Sequence, residues 1–84
     1  MEAGGIQTIK FWAEWCGPCR VLKKQLEGLD MTNVNVDEDQ DGLSVKHKVR
    51  QLPTIVFLKD DVEVHRQVGL ITKQAYLDIL ETLE

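Results

Sequence analysis

The sequence predicts an α/β protein, a four-stranded mixed sheet flanked by three helices, from three observations. Strand-like and helix-like periodicities succeed one another in the order strand, helix, strand, helix, strand, strand, helix. The first half of that order is a βαβ unit, whose strands run parallel with a right-handed crossover, whereas the second half closes on an antiparallel hairpin. Both cysteines of the chain, Cys16 and Cys19, fall in one C-x-x-C between the first strand and the first helix.

Ile6 to Trp12 is rich in β-branched and aromatic residues, interrupted by polar Gln7, Thr8 and Lys10, and reads as the first strand. The first helix is predicted from Pro18 to Leu29, with Cys19, Leu22, Leu26 and Leu29 on one stripe and Arg20, Lys23, Lys24 and Glu27 outside it. Gly28 weakens its last turn by about 1 kcal/mol relative to alanine. Thr32 to Val36 is a short second strand that runs into the acidic turn from Asp37 to Gly42. A second helix is predicted over Leu43 to Val49, with Val45 and Val49 as its buried contact, and Leu52-Pro53-Thr54 breaks it.

Ile55-Val56-Phe57-Leu58 is a continuous apolar run, as expected of a strand covered on both faces. Asp60-Asp61 supplies the turn into a fourth strand, Val62 to Val68, in which Val62, Val64, Arg66 and Val68 alternate with Glu63, His65 and Gln67. After Gly69, Thr72 is placed to cap a third helix whose apolar stripe is Tyr76, Ile79, Leu80 and Leu83.

A chain of 84 residues is expected to form one domain with a single small core, residues 1–5 being read as a flexible N-terminal segment. An apolar fraction of 43% with 29% charged residues suits a globular protein, and a net charge of −4 argues against nucleic acid as a partner. The opening Met1-Glu2-Ala3-Gly4-Gly5 has neither a basic nor an apolar run, which predicts no secretion signal, no membrane anchor and a cytoplasmic location. Two cysteines this close cannot staple distant segments, which fits a reducing compartment where a C-x-x-C is catalytic or metal-binding.

The chemistry follows from where the pair sits. At a helix N-terminus, unpaired N–H groups and the positive end of the helix dipole favour a thiolate, so Cys16 is the expected nucleophile and Cys19 its partner thiol. Gly17 allows a sharp bend, and Pro18 occupies a position at which a missing N–H costs nothing. A structural zinc site needs two further ligands, and only His47 and His65 are available, on segments placed away from the motif. Two chains sharing an iron–sulfur cluster through their C-x-x-C pairs stay open as an alternative. Asp37-x-Asp39-x-Asp41-Gly42 begins like a calcium loop, but Lys48 stands where the closing glutamate is required, and a helix-start turn is the simpler reading. Trp12 is read as core packing and Trp15 as a partner-contact aromatic.

Phe11-Trp12-Ala13-Glu14-Trp15-Cys16-Gly17-Pro18-Cys19 closely resembles the active-site stretch of the thioredoxin family, and Leu52-Pro53-Thr54 and Val68-Gly69 match two further landmarks in the same order. The resemblance runs from Ile6 through the last helix and implies a thioredoxin-like fold lacking the family's usual first strand and helix. It implies that Pro53 is cis and lies against the cysteine pair, and that Trp15, Gly17, Pro18, Leu52, Pro53, Gly69 and Leu70 line a shallow groove around Cys16. It also implies a monomeric protein-disulfide reductase that uses a Cys16/Cys19 dithiol–disulfide cycle and no bound cofactor. Disulfide-containing client proteins and a thioredoxin reductase or equivalent electron donor are the implied partners. Two positions depart from the family: Lys10 stands where a buried aspartate is usual, and Lys24 replaces a helix proline. Lys10 has two readings, an ammonium held out in water beyond the strand or one placed beneath the cysteines, where it would favour a thiolate. A binding or scaffold subunit that keeps the fold without thiol chemistry, and a glutaredoxin-like or cluster-bridging protein, are the rival functions.

Overall fold

The computed structural model describes residues 5–84, so the expectation of a flexible segment over 1–5 falls almost wholly outside the described residues. The elements are β1 (Ile6–Trp12), α1 (Gly17–Gln25), β2 (Thr32–Asn35), α2 (Leu43–Lys46), β3 (Thr54–Lys59), β4 (Val62–Val68) and α3 (Lys73–Leu83). They form a four-stranded sheet in the order β2-β1-β3-β4, with β1 parallel to β2 and the other two pairings antiparallel. This is the expected mixed sheet with three helices.

β3 is buried from Thr54 to Leu58 because helices cover both its faces. On one face Ile55 and Phe57 pack with Leu22 and Leu26 of α1 and Tyr76 of α3. The Tyr76 hydroxyl donates to Thr8 Oγ1 at 2.9 Å, which satisfies the polar tip of a buried aromatic. On the other face Ile9, Phe11, Val56 and Leu58 pack with Leu43, Val49 and Leu52. Cross-strand partners share a face, so the pairs Thr8↔Phe57 and Lys10↔Ile55 place Thr8 and Lys10 on the α1/α3 side.

Four boundaries or patterns differ from the sequence reading. α1 stops at Gln25 and not at Leu29: Leu26 leaves helical geometry, and Gly28 adopts φ +86°, a left-handed conformation suited to glycine. Leu26 and Leu29 still pack into the core, so the apolar period outlasts the helix. β2 ends at Asn35, whose side chain accepts from the Asp37 N–H at 2.9 Å, and Val36–Glu38 forms a tight 3₁₀ turn. α2 is a single turn, and Val45, expected to be buried, is 81% exposed; Val49 reaches the core from the segment beyond Lys48, which has φ 55°. The alternation in β4 fails at a bulge, since His65 pairs with Phe57 while Glu63 pairs with Leu58 and leaves Val64 unpaired.

The bulge has a structural consequence. Residues three apart in a regular strand point to opposite faces, but the extra residue brings Glu63 and Arg66 together in an ion pair at 2.8 Å. Arg66 also donates to the carbonyls of His47 and Lys48, tying β4 to the turn that follows α2. The start of α2 is held by Asp39, whose carboxylate accepts from the N–H groups of Leu43 at 2.9 Å and Ser44 at 2.7 Å. These bonds, Ser44 foremost, hold the Asp39 carboxyl below its ordinary pKa. Thr72 caps α3 as expected, its hydroxyl accepting from the Ala75 N–H at 3.1 Å. Among the described residues no helix is long and apolar enough to cross a membrane.

Candidate active site

β1 delivers the chain to the site, and Ala13, buried at its end, turns it: the Cys16 N–H donates to the Ala13 carbonyl at 3.2 Å. Cys16 is the N-cap of α1, and its Sγ accepts from the Cys19 N–H at 3.2 Å, the place an oxygen takes in an ordinary cap. Pro18 lies in the first turn, where helices tolerate it. Cys16 and Cys19 are joined in a disulfide, with Cα atoms 5.3 Å apart. Both are buried, packing with Ala13 and against Trp12, Val36 and Leu52.

Leu52 therefore touches the cysteine cluster, and the Leu52–Pro53 peptide bond is cis. Pro53 is buried, and its carbonyl accepts from the Gly69 N–H at 2.9 Å, which brings the two landmark segments side by side. Gly69 has φ +90°, a conformation other residues rarely adopt. Gly17 and Pro18 are exposed at the start of α1, and Leu70 stands exposed beyond Gly69. Trp15 is 69% exposed, and its indole N–H donates to Asp37 Oδ2 at 2.9 Å. That bond was not read from the sequence, although an exposed indole N–H near an Asn35-x-Asp37 turn is a signal for it. The acidic run is thus divided among separate tasks, Asp37 holding Trp15 and Asp39 capping α2. His65 lies edge-on to Phe57 with ring centroids 5.3 Å apart, and His47 neighbours Phe11.

Lys10 is buried, 7% exposed, on the face that carries α1. It lines a cleft of about 850 Å³ together with Cys19, Arg20, Lys23 and Lys24. Burial, and secondarily the charge of Lys23, lower its pKa from the ordinary 10.5. Lys10 thus lies on the face of the sheet that carries α1, in the cleft that Cys19 also lines.

A disulfide closed across the first turn of a helix, capped by one of its own sulfurs and packed against a cis-proline segment, is the working centre of a thiol–disulfide oxidoreductase. Residues 3–82 match the family model Thioredoxin. The chain is 33% identical over 85 residues to a thioredoxin of Staphylococcus aureus, a match that covers 92% of this chain and 81% of that one. Among solved structures, a thioredoxin from Halobacterium salinarum superposes with a TM-score of 0.79 at 32% identity, covering 95% of this chain and 75% of the other. Thioredoxin-2 of the malaria parasite gives a TM-score of 0.84 over 98% of this chain and 86% of its own, at 19% identity, a likeness of fold. The chain belongs to the thioredoxin family. Family and cysteine pair together make it a protein-disulfide reductase, of the kind that acts on disulfide clients and is recharged by a thioredoxin reductase.

Proposed function

We propose that Cys16 attacks client disulfides and Cys19 resolves the resulting mixed disulfide. The observation that carries this assignment is the position of Cys16 at the N-cap of α1, where the helix N–H groups stabilise a thiolate, next to exposed Gly17 and Pro18 and the Leu52-Pro53 segment. The Cys16 thiolate displaces one sulfur of the client to form a mixed disulfide. Cys19 then attacks Cys16, releasing the reduced client and leaving the Cys16–Cys19 disulfide. The redox equivalents are the protein's own sulfurs, so no bound cofactor takes part, and a separate electron donor restores the dithiol. Trp15, Gly17, Pro18, Leu52, Gly69 and Leu70 form the client-facing rim, with Pro53 beneath it. An extended client segment pairs there with the backbone of Leu52 as an added strand. The protein acts as a monomer in the cytoplasm.

The test is direct. Reduced protein accelerates the reduction of insulin disulfides by dithiothreitol, and Cys16→Ser abolishes the acceleration. Equal rates for wild type and Cys16→Ser overturn the assignment. Partner binding retained in a Cys16→Ser/Cys19→Ser protein without any reductase activity in the wild type would favour the scaffold reading instead.

A further inference from the structure

The cleft behind the disulfide holds a charge that attack on clients does not use. Strand pairing aims Lys10 toward α1, where its side chain is buried in the cleft that Cys19 lines. The other charged groups around that cleft are Arg20, Lys23 and Lys24 on α1, Glu14 before the helix and Glu27 after it, while β2 contributes the neutral Asn33 and β3 pairs the neutral Ile55 with Lys10. Cations thus outnumber carboxylates four to two beside Cys19, in a chain whose net charge is −4. Among the described residues no hydrogen bond or ion pair holds the Lys10 ammonium. While the disulfide is closed, neither sulfur carries charge, and a buried ammonium with no counter-ion is costly. Opening the disulfide adds a new ionisable partner to the cleft, the thiol of Cys19, beside the carboxylates of Glu14 and Glu27.

We propose that Lys10 is a positioning residue for the resolving step, its ammonium holding Cys19 as a thiolate once the disulfide is open. This rests on the reading above in which Cys16 attacks and Cys19 resolves. In the mixed disulfide Cys16 Sγ is bonded to the client's sulfur, and Cys19 is a thiol. Cys19 gives its proton to water in the cleft, and the thiolate forms in the field of the Lys10 ammonium. Its electron pair attacks Cys16 Sγ, the bond from Cys16 to the client breaks, and that bond's electron pair leaves on the client's sulfur, which takes up a proton. Over both steps the client's disulfide gains two electrons and the cysteine pair loses two, so no further oxidant or reductant enters. When the disulfide has closed, Lys10 is again without a counter-charge. In the disulfide form, burial and then the charge of Lys23 lower the Lys10 pKa, as expected of a buried ammonium without a counter-charge.

The experiment isolates Cys19 in a Cys16→Ser background and follows its thiolate by ultraviolet absorbance against pH, with circular dichroism as the check on folding. Lys10→Met raises the Cys19 midpoint by about one unit, which is about a tenfold smaller thiolate fraction at neutral pH. With Cys16 present, the same substitution slows client release from the mixed disulfide about tenfold and leaves mixed-disulfide formation unchanged. Lys10→Gln, a second uncharged variant, reproduces both effects, and Lys10→Arg, which keeps the charge, restores wild-type behaviour. An unchanged Cys19 midpoint in Lys10→Met, or an Arg variant indistinguishable from the Met variant, overturns the role of Lys10. Failure of the wild type to reduce insulin would instead bear on the function itself, so the two failures are distinguishable.

Discussion

Cys16 and Cys19 share one disulfide yet face different surroundings. On the Cys16 side the rim is apolar and exposed at Trp15, with Leu52 packed against the sulfurs and Gly69 bonded to Pro53 behind it. On the Cys19 side the cleft is cationic, and its most buried charge is Lys10. In the function proposed above, the first environment receives the client chain and the second surrounds the resolving thiol. If client binding and thiol ionisation are separated in this way on opposite sides of a single helical turn, substitutions on each side alter different steps.

The largest expected effect comes from removing the Cys19 sulfur alone. Cys19→Ser leaves the N-cap sulfur, the rim and the helix in place, so mixed-disulfide formation with clients continues. Release then depends on external thiol and slows by on the order of a thousandfold or more, because an attacking group held in place has an effective molarity of roughly 10⁵–10⁸ M. Non-reducing electrophoresis detects the accumulated mixed disulfide. Rapid turnover in this variant would mean that both sulfurs are not needed and that the two sides do not divide the reaction.

Much of this arrangement was legible in the sequence where a period or a fixed chemistry operates. β1, β4 and the Thr72 cap fall where they were read, and the α1 stripe of Cys19, Leu22 and Leu26 is the buried one. The failures share a physical cause. An apolar period reports burial and not backbone geometry, so it ran past Gln25 through Leu26 and Leu29, which pack from a turn. A helix of one turn has no period to read, which is how Val45 was mistaken for a core residue. The bulge at Val64 left its trace only in the three-residue spacing of Glu63 and Arg66. Lys10 shows the same limit at the site: alternation says that it shares a face with Thr8, but only its register with Ile55, which packs with Leu22 and Leu26, says that this face carries α1.

The client side is sharpened by Trp15→Ala. This removes an exposed aromatic held by Asp37 without touching the cysteine cluster. The loss of one contact aromatic costs about 1 kcal/mol, a roughly fivefold rise in KM for protein clients. A small disulfide substrate, which does not span the rim, is reduced at the wild-type rate. A Cys19 titration curve unchanged by the substitution confirms that the effect stays on its own side, and a shifted one would show that the two sides are coupled.

The smallest effect separates the charge of Lys10 from its packing through pH. Because burial lowers the Lys10 pKa in the folded disulfide form from the ordinary 10.5, the unfolded chain binds the proton more tightly. Below the lowered value both states are protonated and the full penalty of the buried charge is present. Between that value and 10.5 only the unfolded chain stays protonated, so stability rises with pH until the penalty has gone. Lys10→Met therefore raises the Tm of the oxidised protein by a few degrees at neutral pH, with a gain that shrinks as pH approaches 10.5. The role proposed for Lys10 predicts a smaller gain in the reduced protein at pH values where Cys19 ionises beside the ammonium. Thermal unfolding of both redox forms across pH measures this, and a gain independent of both pH and redox state would assign Lys10 to packing alone.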